Sequence, residues 1–321
     1  MPRRILVTGV SGFVGGALGV HLRRLGYHVT GVSRSDPREG AVDEHVRCDL
    51  REPIGTLPAA DAIVHCAALA SPWAAPRDYQ ASNVDATAHM LDWAARSSIA
   101  RFVFISSSSV HYIAGADQED MREDSPLPAR AINEYAATKR AAEELVRQSK
   151  LNAVILRPRA VFGPGDTVLF PRILRAAELG KLPRIVRSDG VSPRADLIYI
   201  DNLSHYIERA LASSVGGEFN LTNNEPVELY PFLDAMLDKL GLPRPRKNVG
   251  VATAMLFARG AELVSEYLLG FREPPVTRFG VEVMAYSKTF DVSKMLAAFG
   301  PPPVSLAEGV EQFIAWQQRQ S

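Results

Sequence analysis

The 321-residue chain reads as an α/β protein: a doubly wound parallel sheet with a smaller, mostly helical C-terminal region that binds substrate. Three observations predict this. Short apolar runs alternate with helical patterns through the first half, a glycine turn joins the first run to the first helix, and residues with chemical uses fall just past the carboxyl ends of the runs. Strands joined by crossover helices form a parallel sheet covered on both faces, and ligands gather at its carboxyl edge.

Arg4 to Thr8 is the first strand, and Gly9-Val10-Ser11-Gly12-Phe13-Val14-Gly15 follows, leading into a helix marked by Leu18, Leu22 and Leu25. The glycines permit a tight turn and a close backbone approach, and the helix N-terminus faces a pyrophosphate, so this is the dinucleotide turn of a Rossmann domain. The structural alternative is an ordinary strand-to-helix turn. The next strand, His28 to Val32, runs into Ser33-Arg34-Ser35 with no acidic residue at the edge. An enzyme selecting NAD usually carries a carboxylate there for the ribose, whereas a hydroxyl and a guanidinium suit a 2′-phosphate. NADP(H) is therefore the preferred cofactor and NAD(H) the alternative.

Further units follow: Glu44 to Cys48 ending in Asp49-Leu50, Ala62 to Cys66 ending in Ala67-Ala68, a helix from Asn83 to Ser98, and the strand Phe102 to Ile105 ending in Ser106-Ser107-Ser108-Ser109. His65 lies inside an apolar run and reads as a core histidine rather than a base. A helix from Ile132 to Ser149 precedes the strand Ala153 to Arg157 and a packed Pro/Gly loop, Pro158 to Asp166. Residues 1–160 are thus assigned to the nucleotide domain and 161–321 to the substrate domain, with 196–222 returning to the first through strands at Leu197 to Ile200 and Glu218 to Leu221. Asp201 is expected to cap a helix into Ala212. Later helices are expected near Tyr230 to Leu240, Val251 to Leu269 and Leu306 to Gln318.

The chemistry centres on Tyr135 and Lys139, four apart on one helical face. A phenol near its ordinary pKa of about 10 is a poor base at neutral pH, and a neighbouring ammonium favours the phenolate. Tyr135 then exchanges a proton with a substrate oxygen that the Ser107 hydroxyl holds in place. The plain alternative is a half-buried ring beside a solvated amine.

Basic and acidic residues balance at 36 each, which leaves no field to recruit nucleic acid; a small-molecule partner is expected. The two cysteines, Cys48 and Cys66, end apolar runs as core filler and fit a reducing, cytoplasmic setting. Met1-Pro2-Arg3-Arg4 is basic, but no long apolar segment follows, so no targeting peptide is expected. From Val249 to Leu269 the chain is apolar but interrupted by Arg259, Glu262 and Glu266, which spoils a spanning helix; a buried or cleft-covering amphipathic helix is the favoured reading and a membrane-contacting one the alternative. No metal ligand set stands out.

Thr8-Gly9-x-x-Gly12-x-x-Gly15, Asp49-Leu50, His65-Cys66-Ala67-Ala68, Asn83-Val84, the serine run and Tyr135-x-x-x-Lys139 together resemble the extended short-chain dehydrogenase/reductase superfamily over nearly the whole chain. Leu156-Arg157-Pro158-x-x-Val161-Phe162-Gly163-Pro164-Gly165-Asp166, Tyr199-Ile200-Asp201-Asn202 and Pro275-x-Thr277-Arg278-Phe279 resemble its 3β-hydroxysteroid dehydrogenase and 2-alkyl-3-oxoalkanoate reductase branch. The resemblance implies Tyr135 as acid/base, Lys139 on the nicotinamide ribose lowering the phenol pKa, and Ser107 orienting the substrate, with Ser108 in its place if the register slips by one. It implies cofactor contacts from Gly9, Ser11, Gly12, Phe13, Val14, Gly15, Ser33, Arg34, Asp49, Leu50, Ala67, Ala68, Asn83, Ser106, Tyr135, Lys139, Pro158 and Val161. It also implies a homodimer through the helices from Asn83 and Ile132.

The reaction expected is hydride transfer between NADP(H) and a secondary alcohol or ketone of a steroid-like or 3-oxo/3-hydroxy acid substrate. Two rivals remain. A nucleotide-sugar epimerase or dehydratase would use Arg194, seven residues before Asp201, for the substrate pyrophosphate, but its usual asparagine after the sixth strand and its C-terminal Arg-Pro-Gly-Asp have no counterpart here. A non-catalytic dinucleotide-binding regulator would commonly lack the Tyr or the Lys, and both are present.

Overall fold

The computed structural model describes residues 3–320; Met1 and Pro2 of the basic start lie outside them. Seven parallel strands form the central sheet in the spatial order Gly217–Leu221, Ala153–Pro158, Arg101–Ile105, Ala62–His65, Arg4–Thr8, His28–Ser33 and Glu44–Arg47. The chain winds outward from Arg4–Thr8 in one direction, then returns and winds in the other. This reversal opens a crevice at the carboxyl ends of Arg4–Thr8 and Ala62–His65.

Residue alternation along the strands feeds two cores. Ile5, Val7, Val64, Val103 and Leu156 turn to one face, where Leu18 and Leu22 of the Phe13–Arg24 helix and Leu203 and Ile207 of the Ile200–Ala212 helix cover them. Leu6, Ile63, Phe102 and Phe104 turn to the other, under Met90 and Trp93 of Ala86–Arg96 and Ala142 and Val146 of Glu134–Gln148. A third, small cluster of Ile185, Ala254, Ala258, Val281 and Ala285 holds the Val251–Leu268 helix against Arg278–Ala285.

Three local expectations are corrected. Only Gly217–Leu221 returns to the main sheet; around Leu197 to Ile200 just Ile198–Tyr199 is extended, and it pairs with Val161–Phe162. Its free edge is taken by Asn223, whose side chain accepts the Tyr199 amide at 3.0 Å and whose own amide donates to the Leu197 carbonyl at 2.8 Å. Asp201 does not cap its helix, since Tyr199 occupies that place and Asp201 lies in the first turn, where its charge favours the helix dipole. The helix expected from Asn83 begins earlier, at Pro76–Tyr79, and passes through a π-turn at Gln80–Asp85 before Ala86–Arg96. That wide turn aims the buried Asn83 amide back at the sheet edge.

Beyond the sheet, Gln118–Met121 pairs with Lys288–Phe290, which pairs in turn with Arg194–Ala195 and, through it, Val227–Glu228. Asn248–Gly250 pairs with Arg184–Val186 and leads directly into the Val251–Leu268 helix. No helix among the described residues is long and apolar enough to cross a membrane.

Candidate active site

The crevice starts at the glycine turn. Gly9 has a left-handed backbone (φ +68°), and a Cβ there would lie 2.8 Å from the Ala67 backbone; a Cβ on Gly15 would lie 2.4 Å from the Gly9 carbonyl oxygen. Only glycine fits either place. Gly12 stands at the N-cap with no side-chain cap, and the first turn of the helix carries no acidic residue. Its free N–H groups, exposed Ser11 and half-buried Phe13 and Val14 form a cradle suited to a dinucleotide pyrophosphate. His65 braces the turn, with Nδ1 2.8 Å from the Thr8 hydroxyl and Nε2 3.1 Å from that of Thr87. Burial, then the Lys139 charge, push it down to about 3, so it is neutral at physiological pH.

At the adenosine edge the expected residues divide. Arg34 is exposed and free to meet a phosphate, whereas Ser33 is buried with its hydroxyl donated to the Ser35 carbonyl at 2.8 Å. Arg38, which the sequence reading passed over, brings its Nε within 3.3 Å of where a Gly16 Cβ would stand, and burial lowers its pKa. Its signal was a second arginine four residues beyond Arg34. Asp49 is half-buried and ion-paired with Arg51, Leu50 is buried, and Ala67 and Ala68 line the opposite lip.

Two residues expected at the cofactor have their side chains engaged elsewhere. Asn83 accepts the Leu69 amide at 2.7 Å and donates to the Thr138 hydroxyl at 3.0 Å, which ties the loop after Ala62–His65 to the Glu134–Gln148 helix. Ser106 donates to Glu143 Oε1 at 2.6 Å. Ser108 is likewise buried, its hydroxyl 3.2 Å from that of Tyr112. Pro158 is buried at the end of its strand and Val161 is half-buried just beyond it.

Ser107 and Tyr135 come together. Ser107 ends the Arg101–Ile105 strand region and caps a short 3₁₀ turn, Ser108–His111, by accepting the Ser109 amide. Asn133 caps Glu134–Gln148 through a 2.8 Å bond to the Ala136 amide, which sets Tyr135 in the first turn and Lys139 one turn on. Burial pushes the Tyr135 phenol up to about 12, opposed by a hydrogen bond with Ser107. The cation expected to lower the phenol pKa does not do so here. Lys139 Nζ instead donates to the Ile105 carbonyl at 2.7 Å and lies 4.5 Å over the Phe104 ring. Burial pushes Lys139 itself down to about 8, against the opposing pull of Glu143.

Glu143 continues the same helical face, eight residues after Tyr135. Burial would raise its pKa, but Arg157, Ser106 and Arg147 hold it below the usual carboxylate range. Arg157 grips it through Nε at 2.9 Å and Nη2 at 2.7 Å, with both side chains nearly inaccessible. The pair anchors the Glu134–Gln148 helix to the sheet. Two more residues near the site escaped the sequence reading. The Tyr79 ring lies 6.4 Å from that of Tyr135, its hydroxyl bonded to the Ser71 carbonyl at 2.6 Å. Arg159, next after Pro158, lies 5.4 Å over the Tyr112 ring, and its Nε is buried with no acceptor among the described residues. Arg194, by contrast, is exposed and paired with Glu119 at 3.1 Å in the small sheet.

Comparison with known proteins identifies the family. Residues 5–222 match the model of the NAD dependent epimerase/dehydratase family. The chain is 34% identical to the 2-alkyl-3-oxoalkanoate reductase of Stenotrophomonas maltophilia (strain K279a), over 97% of this chain and 98% of that one. It is 30% identical to 3beta-hydroxysteroid-dehydrogenase/decarboxylase isoform 1 of Arabidopsis thaliana, over 89% and 69%. The solved structure of MoeE5 in complex with UDP-glucose and NAD superposes with a TM-score of 0.75 at 24% identity, covering 99% of each chain, which speaks for the fold alone. The chain belongs to the NAD dependent epimerase/dehydratase family and is an NAD(P)-dependent oxidoreductase of the extended short-chain type.

Proposed function

We propose that the protein reduces the ketone of an apolar 3-oxo acid, or oxidises the matching alcohol, with NADP(H) as preferred partner. The observation that carries this reading is the Tyr135 phenol held against the Ser107 hydroxyl at a strand end, with Lys139 one helical turn below. A phenol held near 12 is protonated at neutral pH, which is the form that donates to a ketone oxygen. NADP(H), when bound, supplies or accepts the hydride at the carbinol carbon.

The chain's own groups do the rest. Ser107 orients the substrate oxygen, Tyr135 Oη gives it a proton, and Lys139 bonds the nicotinamide ribose. The glycine turn takes the pyrophosphate, and Arg34 with Arg38 takes the adenosine 2′-phosphate. A carboxylate beside the ketone would find Arg159, whose buried Nε has an N–H to give and whose planar fork matches two carboxylate oxygens. The similarity to the 2-alkyl-3-oxoalkanoate reductase supports such a substrate. A nucleotide sugar is less well supported, since Arg194 is already paired with Glu119.

The test is turnover of a 2-alkyl-3-oxo acid with NADPH and NADH by the wild type and by Tyr135→Phe. Loss of turnover in the variant, by about a thousandfold and with NADPH affinity retained, is expected. Wild-type turnover only of UDP-sugars, or an unimpaired Tyr135→Phe, overturns the proposal.

A further inference from the structure

The Val251–Leu268 helix presents an outward face unlike any other in the molecule. Of the eleven large apolar side chains exposed among the described residues, seven lie between Leu256 and Leu269. Ala254, Ala258 and Ser265 mark the buried side, packed on the small third cluster and on Trp73. At 3.6 residues per turn, Leu256, Leu263 and Tyr267 fall on one side of Gly260 and Phe257, Val264 and Leu268 on the other. Together they sweep roughly 140° of solvent-facing arc with no charge in it. Leu256 is 74% exposed, Phe257 64%, Tyr267 74% and Leu268 77%. A face this apolar and this exposed marks a contact surface rather than a solvated helix.

Two observations identify what covers it. The first is charge. Arg246 and Lys247 stand exposed just before the helix, Arg259 on its flank and Arg272 just after it, and none of the four makes a side-chain ion pair among the described residues. Against them stand exposed Glu266 and Glu273, the latter paired with Arg172, while Glu262 is buried and paired with Arg278. In a chain whose charges balance overall at 36 to 36, this rim carries an excess of unpaired cations. The second is continuity with the site. Trp73 Nε1 donates to Ser265 Oγ at 2.8 Å and its ring lies 6.1 Å from Phe271, while Ser71, two residues earlier, accepts from the Tyr79 hydroxyl beside Tyr135. The C-terminal end of the apolar face therefore adjoins the rim of the catalytic cleft.

We infer that this helix lies on an anionic lipid surface, with its apolar face in the acyl boundary and Arg246, Lys247, Arg259 and Arg272 at the headgroups, and so brings the cleft to lipid-dissolved substrate. An apolar arc rimmed by cations is the pattern of an interfacial helix. The inference rests on the apolar-ketone reading only for the substrate's route; the docking itself is read independently of turnover.

The test is flotation of the full chain with vesicles of phosphatidylcholine alone or mixed with phosphatidylglycerol. The wild type should float with the mixed vesicles and much less with phosphatidylcholine. Phe257→Asp/Leu268→Asp should lower partitioning more than about tenfold on both. Arg246→Gln/Lys247→Gln, which leaves the apolar face intact, should lower it about twentyfold on the anionic vesicles and little on the neutral ones. Both variants should turn over a short, water-soluble 3-oxo acid at the wild-type rate, so a reaction that is absent in all three refutes the functional reading without touching the flotation result. No flotation of the wild type, or flotation indifferent to both variants, overturns the inference. So does a wild-type dimer that Phe257→Asp/Leu268→Asp dissociates in sedimentation, since a second copy would then occupy the face.

Discussion

Replacing Lys139 by Met should stabilise the protein at neutral pH while removing its activity. Lys139 is 2% exposed, and burial brings its pKa from 10.5 to about 8. Keeping the proton in the folded state therefore costs about 3 kcal/mol relative to the unfolded chain. Methionine has a similar reach and carries no charge, but it leaves the Ile105 carbonyl without its 2.7 Å donor, a loss of about 1–2 kcal/mol. The net expected gain at pH 7 is about 1–2 kcal/mol. The sign of the pH dependence is distinctive. Below about 8 the lysine is charged in both states and the wild type bears the whole penalty; between 8 and 10.5 the folded protein sheds its proton first, so wild-type stability rises with pH. The advantage of the variant should shrink across that window and reverse near its top. Urea unfolding of both proteins from pH 7 to 10, with turnover measured alongside, checks this. A stability difference that stays constant with pH would show that Lys139 does not hold a depressed pKa, and a fully active variant would remove it from the site.

Other substitutions test the remaining parts. Glu143→Ala leaves the buried Arg157 guanidinium without its carboxylate and should cost about 3–5 kcal/mol in urea unfolding, whereas the exposed Arg194→Ala should change stability by less than about 1 kcal/mol. Arg34→Ala and Arg38→Ala should each weaken NADPH binding by about tenfold or more and NADH binding little, as measured by fluorescence titration; equal losses would refute the 2′-phosphate reading. Arg159→Leu should raise KM about tenfold or more for a 3-oxo acid and leave the corresponding methyl ketone unaffected, which steady-state kinetics on the pair would show. His65→Gln should give no new ionisation in the pH–rate profile above pH 5, because the wild-type imidazole is held at about 3 and is neutral there already.

The local order along the chain was enough to expose the architecture and to nominate the positions proposed to carry the chemistry. Gly9 favours glycine because its backbone is left-handed (φ +68°), Gly15 because a Cβ would strike the Gly9 carbonyl six residues earlier, and Tyr135 and Lys139 share a face because a helix repeats every 3.6 residues. Those constraints are short-range, so the sequence displays them. The partners of each group are not short-range. Lys139 donates to the Ile105 carbonyl, Asn83 and Ser106 were drawn into the protein as braces, and Leu197 to Ile200 left the main sheet to pair with Val161–Phe162, its other edge bonded to Asn223. Each outcome depends on which buried polar atom, far along the chain, most needs a partner. Arg159 stands out only once its Nε is seen buried beside Tyr112, and the apolar face of Val251–Leu268 only once the third cluster shows which side is covered. Sequence periodicity could say that this helix had two sides; packing decided which one was left for something else to touch.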